Sequence, residues 1–297
     1  MEGPEYHRRQ RRRIEVPVVP PATTIYDLNN DLLAISHSLL GIGHFRYAGI
    51  ACKLLLEASR AASDEKVTSM KIVTSSISCA EKYFEDEGTS TSTTNTTQHL
   101  KLFWYSAARY GRLEIMKWAH GQGYARVWTD MDIAVVIWAR AAEYGQLDVL
   151  QWLRETGCCW SQKTCHAAAK GGHLSCLQWC RENGCPWNTR TCHAAAGSGH
   201  LSCLQWLREN GCPWNARTCF AAARSGHLSC LQWLRENGCD WDSSTCSAAA
   251  EGGHLSCLQW LRENGCPWDE ETFLKAQTCG NSDVLAYVIQ QGCPRRD

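Results

Sequence analysis

Long apolar runs are missing from this chain. No stretch approaches the ~18 uninterrupted apolar residues of a membrane span, so no membrane partner is expected. Arg8, Arg9, Arg11, Arg12 and Arg13 are followed by Pro17, Pro20 and Pro21 rather than by an apolar segment, so a secretory signal is not expected either. An excess of charge is also missing: 30 Lys+Arg balance 30 Asp+Glu. Without a global field, any contact with nucleic acid or an acidic membrane would have to be local, and nucleic acid is not an expected partner. No singular nucleophile–base–orienter set and no carboxylate pair stands out, so the chain is not read as an enzyme and no cofactor is expected. What it does contain is 44% apolar and 20% charged residues, a globular composition.

Phenylalanine is scarce, five residues against 14 Trp and 19 Cys. In a short secreted chain that much cysteine would suggest a disulfide scaffold. Here the count is odd and the positions recur on one period. Gly145, Gly172, Gly199, Gly226, Gly253 and Gly280 lie 27 residues apart, and Gly111 lies 34 before Gly145. The first unit therefore carries an insertion near Tyr124 to Asp132. About seven units run from residue 100 to the C-terminus, and the outer ones diverge most, as the ends of repeat arrays do.

One unit can be read locally. Thr191 serves as a plausible N-cap before Cys192-His193-Ala194-Ala195-Ala196, a short Ala-rich helix. Gly197-Ser198-Gly199 makes a tight turn, and a second helix spans Leu201 to Asn210. Cys203, Leu204 and Leu207 share one face with Trp206 at its flank, and Ser202, Gln205 and Glu209 share the other. Asn210-Gly211 stops the helix before Pro213. Two helices of about two turns cannot form a core alone, so the units must stack.

The string Thr191-Cys192-His193-Ala194-Ala195-Ala196, then Gly199-His200-Leu201, Cys203-Leu204, Trp206-Leu207 and Asn210-Gly211, resembles the ankyrin repeat. The resemblance implies an all-α solenoid of about seven ankyrin-like helix pairs, preceded by a small helical domain, and a protein-binding role. His200 falls where that family pins its inter-helix turn. The family period is about 33 residues, so this chain's shorter unit implies that the family's β-hairpin fingers are absent or reduced to tight loops such as Cys212 to Arg217.

The Cys/His set admits a zinc-module reading, since Cys192, His193, His200 and Cys203 recur in each unit. Zinc needs converging ligands at ~2.0–2.3 Å, yet His193 is replaced by Phe220 and Ser247 in sister units. Cys192 and Cys203 sit where the resemblance places Leu and Val, which favours small buried hydrophobes and no metal. Equivalent cysteines on helices ~8–10 Å apart exceed the ~7 Å limit for bridging. Cys158 and Cys159, near a loop, are the candidate reactive thiols, and a cytoplasmic or nuclear location fits a reduced chain. Trp152, Trp179, Trp206, Trp233 and Trp260 should bury between units. Trp160, Trp187, Trp214, Trp241 and Trp268 lie on the loops, where they either cover the core edge or form an exposed aromatic ladder for a partner.

The four central copies are nearly identical, so their differences mark solvent-facing positions. They vary at His166, His193, Phe220 and Ser247, at Lys170, Gly197, Arg224 and Glu251, and along the loop before each unit. That loop edge runs from basic (Lys163, Arg190, Arg217) to acidic (Asp240, Asp242, Asp269, Glu270, Glu271). This is either a solvated rim or a bipolar groove that orients an unknown protein or peptide.

Residues 1–24 read as a disordered basic tail, either a nuclear address, a phosphate contact or a solvated end. Residues 85–99 read as a Ser/Thr-rich linker. Between them, residues 25–84 read as a small helical domain. There Leu28, Asp31, Leu32, Leu33, Leu39, Leu40, Cys52 and Lys53 resemble an F-box, which implies docking to the Skp-type adaptor of a cullin ubiquitin ligase.

Overall fold

The computed structural model describes Ile77, Ala80, Glu81 and residues 93–295. The chain divides into two units, Met1–Leu54 and Leu55–Asp297, and the described residues all lie in the second. The basic tail and the F-box-like positions Leu28, Asp31, Leu32, Leu33, Leu39 and Leu40 lie outside the described residues.

Seven helix pairs follow one another, and no strand occurs among the described residues. The first helices of the pairs are α1 (Thr93–Arg109), α3 (Met131–Glu143), α5 (Gln162–Gly171), α7 (Thr189–Gly197), α9 (Ala216–Arg224), α11 (Ser243–Glu251) and α13 (Glu270–Thr278). The second helices are α2 (Leu113–Gly121), α4 (Leu147–Glu155), α6 (Leu174–Glu182), α8 (Leu201–Glu209), α10 (Leu228–Glu236), α12 (Leu255–Glu263) and α14 (Ser282–Gln290). Helix α1 begins inside the stretch read as a linker. The Thr-rich run has weak helix propensity, but it leads into Leu100, Phe103 and Trp104, which are buried, and packing overrides propensity. The insertion contains a six-residue 3-10 helix, Tyr124–Thr129. It folds back on the first pair: Trp104 Nε1 donates to the Tyr124 carbonyl at 3.2 Å, and the Trp104 and Trp128 rings meet edge to face at 4.7 Å.

Each first helix packs on the next first helix, from α1 through α13. Alanine permits this approach: Ala194, Ala195, Ala196 and their counterparts are buried, with no side chain large enough to hold the axes apart. The second helices stand behind and touch each other only sparsely. Their inner faces carry Cys203, Leu204 and Leu207, all fully buried, which matches the face read from the sequence. Burying each such Leu contributes about 1.5–3 kcal/mol before ordering costs.

The first helices start three residues earlier than expected. Asn188 Oδ1 accepts from the Arg190 amide at 3.0 Å, and Asn215 Oδ1 from the Arg217 amide at 3.1 Å. Ser161, Asp242 and Asp269 cap α5, α11 and α13 in the same way. Thr191 is therefore not the N-cap. It lies inside the first turn, wholly buried, and its hydroxyl has no hydrogen-bond partner among the described residues. The residues read as variable loop, Thr189-Arg190 and Ala216-Arg217, belong to the helices. The true connections are six residues, such as Asn183 to Asn188.

The candidate protein-binding edge

The N-terminal ends of the first helices line up along one edge of the stack. Lys163, Arg190 and Arg217 occupy the same place on α5, α7 and α9, two residues after each N-cap, and all three are exposed. This is the end of a helix where the macrodipole is already positive, so a cation there costs about 0.3–1 kcal/mol rather than stabilising. The downstream helices obey the opposite preference, with Asp242, Asp269, Glu270 and Glu271 at the starts of α11 and α13. Two of these acids serve as caps, and Glu271 also pairs with Lys275 at 3.5 Å.

An open recess of about 320 Å³ sits within the basic part of this edge, lined by His166, Thr189, Arg190, His193, Ala194, Asn215 and Arg217. The stack thus brings together four of the sequence-selected residues from three helices. It also adds Thr189, Ala194 and Asn215, which periodicity did not single out. Asn215 carried a readable signal, an amide residue three positions before Thr218 at a helix start. The His166 ring nitrogen Nδ1 donates to the Arg190 carbonyl at 3.0 Å. Burial lowers the His193 pKa, and the nearby His166, Arg217 and Arg190 lower it further.

The remaining selected residues are placed unevenly. Phe220 is half-buried on α9 at the position equivalent to His193. Ser247 is not available to a partner: it is 7% exposed, and its hydroxyl turns back to donate to the Ser244 carbonyl at 3.0 Å. A side chain that short satisfies itself on its own helix instead of reaching the surface. At the turn end of the first helices, the varied charges bridge neighbouring units: Lys170 pairs with Glu143 at 2.8 Å and Arg224 with Glu251 at 3.3 Å. Burial raises the Glu143 pKa, but the hydrogen bond and charge of Lys170 together with Arg140 outweigh it, and the net shift is downward.

On the outer face the two Trp registers meet. Trp187 and Trp206 lie edge to face at 5.7 Å, and Trp214 and Trp233 at 5.6 Å. Arg181 and Arg208 stack over Trp187 and Trp214, each at 4.2 Å. The helix Trp residues are half-buried rather than fully buried between units. Their neighbours are the loop indoles, which spread over the core edge and leave both rings at the surface of the stack.

The cysteines from Cys158 to Cys293 are free thiols, and all but Cys159 and Cys279 are buried. In each central unit a first-helix thiol meets the thiol after the second helix, as Cys192 meets Cys212. That hydrogen bond and burial raise the Cys192 pKa, so it stays protonated at neutral pH. The Cys212 thiol also donates to the Asn188 carbonyl at 3.5 Å, tying the end of a unit to its start. Cys158 is not the reactive thiol expected, because burial pushes it up to about 11; Cys159 is exposed. Among the described residues, no three His, Cys, Asp or Glu side chains are grouped so as to hold a metal ion.

Residues 165–208, 192–235 and 219–262 match a family model described as ankyrin repeats (many copies). Over residues 165–262 the stack of helix pairs is therefore similar to ankyrin repeats. Among solved structures, the human ASB11 ankyrin repeat domain is similar at 22% identity, covering 52% of this chain and 83% of that chain, with a TM-score of 0.44. No curated protein matches the chain. Ankyrin repeats are generally protein–protein interaction modules.

Proposed function

We propose that this protein is a non-catalytic interaction scaffold whose partner lies along the N-terminal edge of the first helices. One observation carries the reading: four nearly identical ankyrin-type units differ chiefly along this edge and at the turn end, and at the turn end the charges satisfy one another. On the edge Lys163, Arg190 and Arg217 are exposed and make no ion pair among the described residues. The edge also passes from basic to acidic along the stack, which would fix the orientation of a bound segment. Among the described residues, no helix is long and apolar enough to cross a membrane.

A photo-crosslinking amino acid placed at Phe220, on the edge, and separately at Gln205, on the outer face, tests this. Capture of a partner at Phe220 and not at Gln205 supports the scaffold reading. Capture only at Gln205, or at neither, rejects it.

The F-box-like residues support a narrower role, that of a substrate receptor for a cullin-type ligase, and this reading rests on sequence alone. It predicts that wild-type chain retains a Skp-type adaptor on co-purification and that Leu32→Asp loses it. No retention by wild type rejects that role.

A further inference from the structure

We propose that the recess around Arg190 and Arg217 captures carboxylate side chains from an extended acidic segment of the partner protein. The proposal rests on the scaffold reading of the edge and names the partner's chemistry.

Four cationic or proton-binding side chains line the recess, His166, Arg190, His193 and Arg217, and no carboxylate does. Neither arginine makes an ion pair among the described residues. Elsewhere on the first helices cations are matched: Lys170 with Glu143, Arg224 with Glu251, Lys275 with Glu271. Local stability does not account for the arginines, because each stands at the positive end of its helix. A rule of local stability broken without a structural return points to a ligand.

The recess also has a built-in proton response. The Nδ1–H of His166 is committed to the Arg190 carbonyl, which leaves Nε2 as the second polar atom of the ring. The groups that hold His193 towards its neutral form are His166 from α5, Arg190 on its own helix and Arg217 from α9, all of one sign. A carboxylate entering among them reverses that balance, so acidic-segment binding takes up protons and tightens as pH falls.

Charge on either side selects a peptide over a nucleic acid. The basic stretch spans Lys163, Arg190 and Arg217 only. Asp130 and Asp132 precede it at the start of α3, and Asp240, Asp242, Asp269, Glu270 and Glu271 follow it. A continuous phosphate backbone laid along the edge would run into these acids at both ends. A short acidic stretch flanked by neutral or basic residues would not.

Fluorescence anisotropy on the full chain tests this with a fluorescein-labelled peptide of alternating Glu and Ser, its Gln–Ser counterpart and a single-stranded oligodeoxynucleotide. The Glu–Ser peptide should bind, more weakly at higher salt, and more tightly at about pH 6 than at about pH 8. The Arg190→Glu/Arg217→Glu double variant should lose at least about tenfold in affinity. Asn215→Asp, which keeps both arginines and adds one acid to the lining, should weaken binding in the same direction. Circular dichroism and a thermal melt confirm that each variant is folded. Equal binding of the Gln–Ser peptide, binding of the oligonucleotide as tight as that of the Glu–Ser peptide, or unchanged affinity in both variants overturns the proposal. If Phe220 cross-links to a partner while the acidic peptide fails to bind, the recess chemistry is wrong and the scaffold reading stands. If neither occurs, both fall.

Discussion

The imidazole of His227 lies across the backbone of Gly199 in the preceding unit, so close that a Cβ built on Gly199 would stand 2.6 Å from Nδ1. Gly199 also has φ +77°, the left-handed region that side chains resist. Gly211 has nearly the same φ, +78°, but open space where its Cβ would point. Both substitutions to Ala carry the backbone cost of about 1 kcal/mol. Gly199→Ala must also displace the His227 ring, so it should cost about 2–4 kcal/mol against about 1 for Gly211→Ala. Urea denaturation of the two variants side by side measures the difference; equal losses would mean that the ring moves aside freely.

His227 also sets a pH dependence. Burial lowers its pKa most; the Gly197 carbonyl it bonds opposes this, and His200 and His254 lower it further. A histidine lowered in the folded state binds fewer protons there than in the unfolded chain, so stability rises with pH in that range. The contribution is present above about pH 6.5 and is lost as pH falls through the two pKa values. Gln146, at the equivalent turn, donates its amide to the Arg109 carbonyl at 3.2 Å without titrating. His227→Gln should therefore keep the fold and flatten the decline in urea midpoint between about pH 7 and about pH 5.

The Arg208–Trp214–Trp233 contact predicts a graded loss. Arg208→Ala removes a solvent-facing cation over an indole and should cost about 0.5–1 kcal/mol. Trp214→Ala uncovers both the core edge and the Trp233 ring, and should cost about 2–3 kcal/mol, short of a fully buried Trp. Thermal melts followed by tryptophan fluorescence would show both losses; a null effect of Trp214→Ala would make the ladder ornamental to stability.

The buried Thr218 hydroxyl, like that of Thr191, has no hydrogen-bond partner among the described residues. Thr218→Val keeps the branched shape and removes an unpaired polar group, so it should stabilise the stack by about 1 kcal/mol. A higher denaturant midpoint with an unchanged slope is the expected result, and a lower midpoint would show that the hydroxyl is satisfied in solution.

Asn215→Asp separates stability from binding. Its side chain already caps α9 through the Arg217 amide, and a full negative charge there favours the helix end by about 0.3–1 kcal/mol. The same charge lies in the lining of the basic recess. Melting temperature should rise while affinity for the acidic peptide falls, a pairing that general damage to the fold would not produce.

Much of this was legible in the residues themselves. The 27-residue spacing of Gly172, Gly199 and Gly226 marked the units, and the Cys203, Leu204 and Leu207 stripe marked the buried face of the second helix, because both follow from backbone geometry and burial that repeat identically. Helix starts were misread at Thr191, since a capping residue is defined by which amide its side chain reaches, and Thr and Asn both qualify by type. That error moved Arg190 and Arg217 from the helix into a loop. Ser247 was misplaced for a related reason: variation between copies marks tolerance, and a small side chain is tolerated in a buried place as well as an exposed one.

The sequence alone determined that these helices could not stand singly, because each has one apolar face and too few turns to persist in water. It also determined that cations precede acids along the chain. Only the stacking decided which of them meet. It set Lys170 beside Glu143, where opposite charges on adjacent units cancel. It gathered His166, Arg190, His193 and Arg217 from three successive helices around one hollow, where like charges accumulate and call for an anion from outside.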